Sequence, residues 1–249
     1  MRAQFLIRLF LLTVLIYTWT PVSAKITVRK NKIYPISSGE MVQHNYYSLA
    51  YSEEYEGALW VFYHLTPAHV NGEAIRKDNF RDDPLVSTGS ATWNDYKGSG
   101  YDKGHLCPAA SMSINQQAID ESFYMSTMSP QDPNFNRGCW KNLESKVRDW
   151  VLSMNALYVV SGPIYNNIEE YIGENKVAVP KYYYKVIWDG KDKMIGFIMP
   201  NEKCQYELST YIVPVDSIES VTNINFFSKI PNRIEKVIEA EVNSEPWGF

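Results

Sequence analysis

The sequence predicts an α+β fold from three observations: β-rich and helical runs do not alternate regularly, the second half holds a clear hairpin, and one long helical segment precedes it. Residues 58–65 (Ala-Leu-Trp-Val-Phe-Tyr-His-Leu) are rich in aromatics and too short for a helix, so they read as a buried strand. Residues 137–153 read as a helix. Residues 157–160 read as a second strand, stopped by Ser161, Gly162 and Pro163. Residues 182–188 and 194–199 are β-rich and flank the turn-forming Asp189-Gly190-Lys191-Asp192-Lys193, which predicts a hairpin. A further helix is signalled over 216–222.

At the N-terminus, Arg2 and Arg8 precede or open an almost wholly apolar run over 9–19, too short for a comfortable membrane span. It ends in Thr20-Pro21-Val22-Ser23-Ala24, with small residues where a signal peptidase cuts. Residues 1–24 are therefore expected to be a signal peptide and 25–249 the exported domain, secreted or periplasmic. An uncleaved anchor is the alternative. No repeat, low-complexity tract or long linker marks a second domain.

The formal net charge is −4, and losing Arg2 and Arg8 with the leader makes the remainder more acidic. Global charge governs solubility and long-range steering, whereas polyanion chemistry needs only a local basic groove. Three cysteines, Cys107, Cys139 and Cys204, leave at least one unpaired and lack the spacing of a structural zinc site. One bridge between any two, or three separate thiols, fits the sequence.

Chemistry concentrates between Asn94 and Arg148. Residues 94–101 are turn-rich with two glycines, and Asp102-Lys103-Gly104-His105-Leu106-Cys107-Pro108 follows. Residues 129–144 run Ser-Pro-Gln-Asp-Pro-Asn-Phe-Asn-Arg-Gly-Cys-Trp-Lys-Asn-Leu-Glu, a rigid approach to a helix. By itself Asn136 reads as a helix cap, and Glu144 with Arg148 as a surface ion pair. Trp140, Glu144 and Arg148 recur at i, i+4, i+8 along one side, with Leu143, Val147 and Val151 as the adjoining apolar stripe.

These ordered segments, with Phe123-Tyr124-Met125-Ser126 between them, resemble the DNA/RNA non-specific endonucleases, whose usual signature is Asp-Arg-Gly-His, an asparagine segment and a Trp-x-x-x-Glu helix. The likeness extends to Phe80-Arg81-Asp82-Asp83 upstream and to Val159-Val160-Ser161-Gly162-Pro163, Ile218-Glu219 and Asn225-Phe226-Phe227 downstream. It implies a mixed, mainly antiparallel sheet flanked by helices, carrying a ββα-metal or His-Me finger motif. It further implies His105 as general base, Asn136 as direct ligand of Mg2+ (with Mn2+ able to substitute), Glu144 positioning metal-bound water, and Arg148 contacting the phosphate.

Neutral imidazole suits deprotonation of water near neutral pH, and magnesium tolerates a sparse protein shell. Arg81, Lys97, Lys103, Arg137, Lys141 and Arg148 are candidates for a basic groove, with Lys103, Arg81 and Arg137 as the expected substrate contacts. Tyr182, Tyr183 and Tyr184 read more readily as strand packing than as base-stacking groups.

Two departures stand out. Lys103 replaces the usual arginine, keeping the charge but losing the planar fork, and Thr127 stands where several relatives carry asparagine. The expected partners are DNA and RNA, with a homodimer compatible and no stable membrane association once the leader is removed; no inhibitor partner is identified. A catalytically idle nucleic-acid-binding protein on the same scaffold is the second reading. A glycosidase built on Glu53, Glu54 or Glu169-Glu170 is the third.

Overall fold

A computed structural model describes residues 34–249, so the expected signal peptide lies outside the described residues. The strands are β1 (Glu40–Gln43), β2 (Tyr47–Ser52), β3 (Gly57–Leu65), β4 (Asp102–His105), β5 (Met128–Gln131), β6 (Leu157–Ile164), β7 (Tyr171–Ile172), β8 (Val177–Ala178), β9 (Tyr182–Trp188), β10 (Met194–Pro200) and β11 (Ile212–Val213). Seven form one sheet in the order β1-β2-β3-β6-β9-β10-β11, antiparallel at every pairing. β4 and β5 form a separate antiparallel ribbon, and β7 pairs only with β8.

Alternation along the central strands sends side chains to two cores. On one face Val61, Tyr63, Val159, Tyr183 and Ile187 join Phe135 and Trp140, and with Leu143, Val147 and Val151 they bury the apolar stripe of the helix Lys141–Met154. On the other, Trp60, Phe62, Val160, Tyr184, Val186 and Trp188 pack against Val215 and Ile218 of the helix Val215–Thr222 and against Phe226 and Phe227. The fold is thus α+β, a mainly antiparallel sheet flanked by helices. Tyr183 and Tyr184 are buried, which makes them packing residues.

Two local expectations need correction. β6 does not stop at Val160 but runs through Ser161-Gly162-Pro163 to Ile164. The register with β3 ends at Ser161, while Gly162, Pro163 and Ile164 pair with Tyr184, Tyr183 and Tyr182 of β9. Pro163 therefore sits where no second neighbour asks for an N–H, the position that sheets allow proline.

The long helix also starts later than expected. Residues 136–140 form a wide π-type turn kinked at Gly138, and the regular helix begins at Lys141 and ends at the left-handed Asn155 (φ 68°). The capping side chain is Asp132, which accepts from the backbone N–H of Asn134 and Phe135, so Asn136 is not the cap.

Gly104, in the middle of β4, faces Gln131, where a Cβ would stand 2.1–2.4 Å from the glutamine side chain. Gln131 is fully buried and has little room to yield. Gly104→Ala should therefore cost about 1–3 kcal/mol through overpacking, read as a lower denaturant midpoint with unchanged m.

Candidate active site

The ribbon β4–β5 and the turn leading into the Lys141–Met154 helix form the candidate site. β4 and β5 pair in the register Asp102↔Gln131, Lys103↔Pro130, Gly104↔Ser129, His105↔Met128. Tyr183 anchors the ribbon to the sheet: its hydroxyl donates to Pro130 O (2.8 Å) and lies 2.7 Å from Ser129 Oγ. Asn201 holds the far end, donating to Pro130 O (3.0 Å) and accepting from the Asp132 N–H (2.8 Å). Phe135 stacks on Tyr183, and the Trp140 indole donates to His105 O (3.2 Å), which closes the turn against β4.

Asp102 links strand to turn. Its Oδ2 accepts from Asn136 Nδ2 (2.8 Å) and Arg137 Nε (2.8 Å), and its Oδ1 from Arg137 Nη2 (2.6 Å). Partial burial works to raise the Asp102 pKa, but the hydrogen bonds from Arg137 and Asn136 and the nearby positive charges outweigh it and hold the carboxyl below its usual range. An ionised carboxylate accepts only, so the Asn136 amide must turn its NH2 to Asp102. Its Oδ1, a hard neutral donor, is left facing away from Asp102.

The donor chemistry around Asn136 thus fits a hard divalent cation, which takes amide oxygens and keeps several waters.

His105 is half-buried, and its Nε2 is shielded from solvent without a hydrogen-bond partner. Phe123 meets the ring edge to face at 4.9 Å, and Phe80 lies at 5.8 Å. Burial in this aromatic slot, reinforced by the charges of Arg76 and Lys103, drives its pKa down to about 3, so the imidazole stays neutral through the neutral and mildly acidic range.

On the helix, burial raises the pKa of Glu144 against the opposing charges of Lys185, Arg148, Arg76 and Lys141. Arg148 donates from Nη2 to Ser145 Oγ (2.7 Å), while its shielded Nη1 has no partner. His105 and Glu144 both lie within electrostatic reach of Arg76, Arg148 lies in the field of Glu144, and Asn136 is tied to the ribbon through Asp102.

The expected substrate contacts fare differently. Lys103 extends over Phe80 (4.9 Å) and Trp93 (5.7 Å). Arg137 is exposed but clamped bidentately on Asp102. Arg81 Nη1 donates to Asn79 O (3.1 Å) and Asp120 O (2.8 Å), and its guanidinium lies over Tyr124. The structure thus gives Arg81 a role in holding the loop behind Phe123.

Two residues were missed by sequence reasoning. Lys185 lies fully buried in β9, donating to Ser161 Oγ (2.9 Å) and standing 4.2 Å from the Trp140 ring, with burial lowering its pKa against the charge of Glu144. A lone lysine inside the strand run Tyr-Tyr-Tyr-Lys-Val-Ile-Trp was the available signal. Arg76 stands 5.1 Å over Phe123 and within electrostatic reach of both His105 and Glu144. It sits in a polar loop that carried no signal.

Cys139 and Cys204 form a disulfide that ties the Asn136–Trp140 turn to the segment after β10, and Cys107 is a buried free thiol. Beside the bridge, a cleft of about 530 Å³ is lined by Asn134, Arg137, Lys203 and Tyr206. Replacing both bridged cysteines by serine should cost about 2–4 kcal/mol of stability, measured as a fall in melting temperature that reducing agent reproduces in the unmodified protein.

A family model described as DNA/RNA non-specific endonuclease matches residues 27–233. The human protein named Endonuclease G, mitochondrial, is 35% identical over 204 residues, spanning 75% of this chain and 68% of its own. A protein named Nuclease from Nostoc sp. is 33% identical over 215 residues, covering 80% and 77% of the two chains. The crystal structure of the EndoG/EndoGI complex, described as showing the mechanism of EndoG inhibition, superposes with a TM-score of 0.73 at 32% identity. That match covers 80% of this chain and 89% of that one.

Proposed function

The chain belongs to the DNA/RNA non-specific endonucleases, and on that premise we propose that it is an exported, magnesium-dependent enzyme that cuts within DNA and RNA with little sequence selectivity. It is a nuclease of a divalent-metal-dependent ββα-metal family. The observation that carries the finer reading is the Asn136 amide, oriented by Asp102 beside the strand that bears the neutral, unpartnered Nε2 of His105.

His105 accepts the proton of the attacking water at Nε2, a task for which its low pKa keeps the ring unprotonated. Arg148, together with Lys103 and the exposed Arg76, whose Nε is held by Asp78 (2.6 Å), is the source of donors to the phosphate oxygens in this reading. Glu144 orders water beside Asn136 in its ionised form, which burial disfavours by raising its pKa to about 7 against the opposing charges of Lys185 and Arg148. Asn136 would hold the divalent cation, which when bound would supply electrostatic stabilisation of the departing 3′ oxygen, the chemistry that leaves 5′-phosphate ends. Contacts of this kind read phosphate and not base edges, which accounts for low sequence selectivity.

The disulfide supports an oxidising compartment. Among the described residues no helix is long and apolar enough to cross a membrane. Several relatives are named as mitochondrial, so export through residues 1–24 is the point on which this reading departs from them.

Purified protein with magnesium is expected to nick closed circular plasmid and to cleave RNA, and chelator should abolish both. His105→Ala and Asn136→Ala should each lower the rate by about 10²–10⁴-fold while DNA binding persists. A folded wild-type protein that binds DNA without nicking it would leave the idle-scaffold reading in its place.

The pH profile provides an independent check. The folded pKa of His105 lies below its ordinary 6.5, so His105 loses its base form only as pH falls toward about 3, and the acid limb of kcat/KM should instead follow Glu144, which burial raises to about 7, and should move in Glu144→Gln. By the same linkage, the stability contributed by neutral His105 is complete above 6.5 and is lost as pH falls through that interval.

A further inference from the structure

On the sheet face away from the ribbon, two C-terminal helices bring acidic side chains together. Asp216 and Glu219 lie on the helix Val215–Thr222, and Glu239 immediately follows the helix Asn232–Ile238. One carboxylate oxygen from each lies within 4.8 Å of the others. Asp216 is exposed and Glu219 partly so, which alone describes an ordinary solvated pair.

Glu239 makes the difference. It is only 3% exposed, its Oε1 is buried without a hydrogen-bond partner, and its carboxylate faces the other two. Ionised carboxylates are rarely buried this deeply unless paired or bound to a metal.

Among the described residues no salt bridge engages these three acids, and Glu235 adds a fourth negative group within electrostatic reach. Burial, together with Glu219, Glu235 and Asp216, raises the Glu239 pKa to about 8, the response of an acid that lacks a cation. The backbones are already joined here, since the Asp216 N–H donates to Glu239 O (3.2 Å) and the Phe226 N–H to Glu219 Oε1 (2.6 Å). The oxygens are thus held on fixed elements.

We propose that Asp216, Glu219 and Glu239 form a calcium site that pins the C-terminal helix to the helix Val215–Thr222. Two oxygens on one calcium ion, at metal–oxygen distances of about 2.3–2.6 Å, stand at most about 4.6–5.2 Å apart, whereas magnesium closes at about 4.0–4.2 Å. A span of up to 4.8 Å falls within reach of calcium. The open side at Asp216 leaves room for the waters that complete its shell. Such a site serves stability and is independent of the nicking chemistry.

Thermal unfolding of the full protein, stripped of metal and then given calcium, tests this. Asn136→Ala serves as the background, so that calcium at the catalytic centre does not contribute. Saturating calcium should raise the melting temperature by about 5 °C or more. Glu239→Gln and Asp216→Asn should remove most of that shift, and Asp216, being exposed, offers a variant that folds even if the change at Glu239 does not. The proposal is overturned if calcium gives no shift, if the shift occurs in wild type but not in Asn136→Ala, or if Asp216→Asn responds like its parent. It is equally overturned if Glu239→Gln is more stable than a calcium-insensitive parent, which would mark a carboxyl pair sharing a proton.

Discussion

The site depends on the carboxylate of Asp102. It sits at the start of β4 and takes three hydrogen bonds from two consecutive residues of the following turn, so strand and turn are held as one body. Its second consequence is chemical. A group that only accepts dictates which end of the Asn136 amide faces it, and thereby which end is offered outward. Neither residue alone carries that information, and the bidentate clamp from Arg137 keeps the arrangement ionised and in place.

Beneath this surface lies an unusual amount of buried polarity. Lys185 stands under Trp140 and in the field of Glu144, and burial moves the pKa values of lysine and glutamate toward neutrality from opposite sides. Thr127 Oγ1 and both amide atoms of Gln131 are buried without partners close to the ribbon. A structure built for stability alone would place apolar groups there, because unsatisfied buried polar atoms cost about 1–3 kcal/mol each. Their concentration near His105 and the helix start fits a site in which shifted proton affinities serve chemistry.

The basic residues divide by what they touch. Arg81 and Arg137 are occupied with the protein's own carbonyls and carboxylate, so their charges shape the site more than they reach outward. Arg76 pairs with Asp78 through Nε (2.6 Å) but is exposed, Lys103 lies over two aromatic rings, and Arg148 keeps a shielded Nη1 without a partner. The replacement of arginine by Lys103 fits its setting over two aromatic rings, where a compact ammonium interacts with the ring faces without a bidentate partner.

Much of the architecture was legible in the chain. The β9–β10 hairpin, β3 and the Lys141–Met154 helix announce themselves through local periodicity and turn residues, because their side-chain patterns repeat along the element. The order of His105, Asn136 and Glu144 along the sequence was likewise sufficient to identify the family.

The sequence alone determined the family and the order of the motif residues His105, Asn136 and Glu144, but not how their charges are set. β4 and β5 are four-residue strands interrupted by glycine or proline, too short for periodicity to register, and they pair across a separation in sequence that only the folded chain closes. The carboxylate that orients Asn136, the choice of Cys139 and Cys204 over Cys107, and the burial of Lys185 and Glu239 were decided by contacts between distant segments. Hydrogen-bond direction and desolvation are properties of such contacts, which is why they emerge only in the tertiary structure.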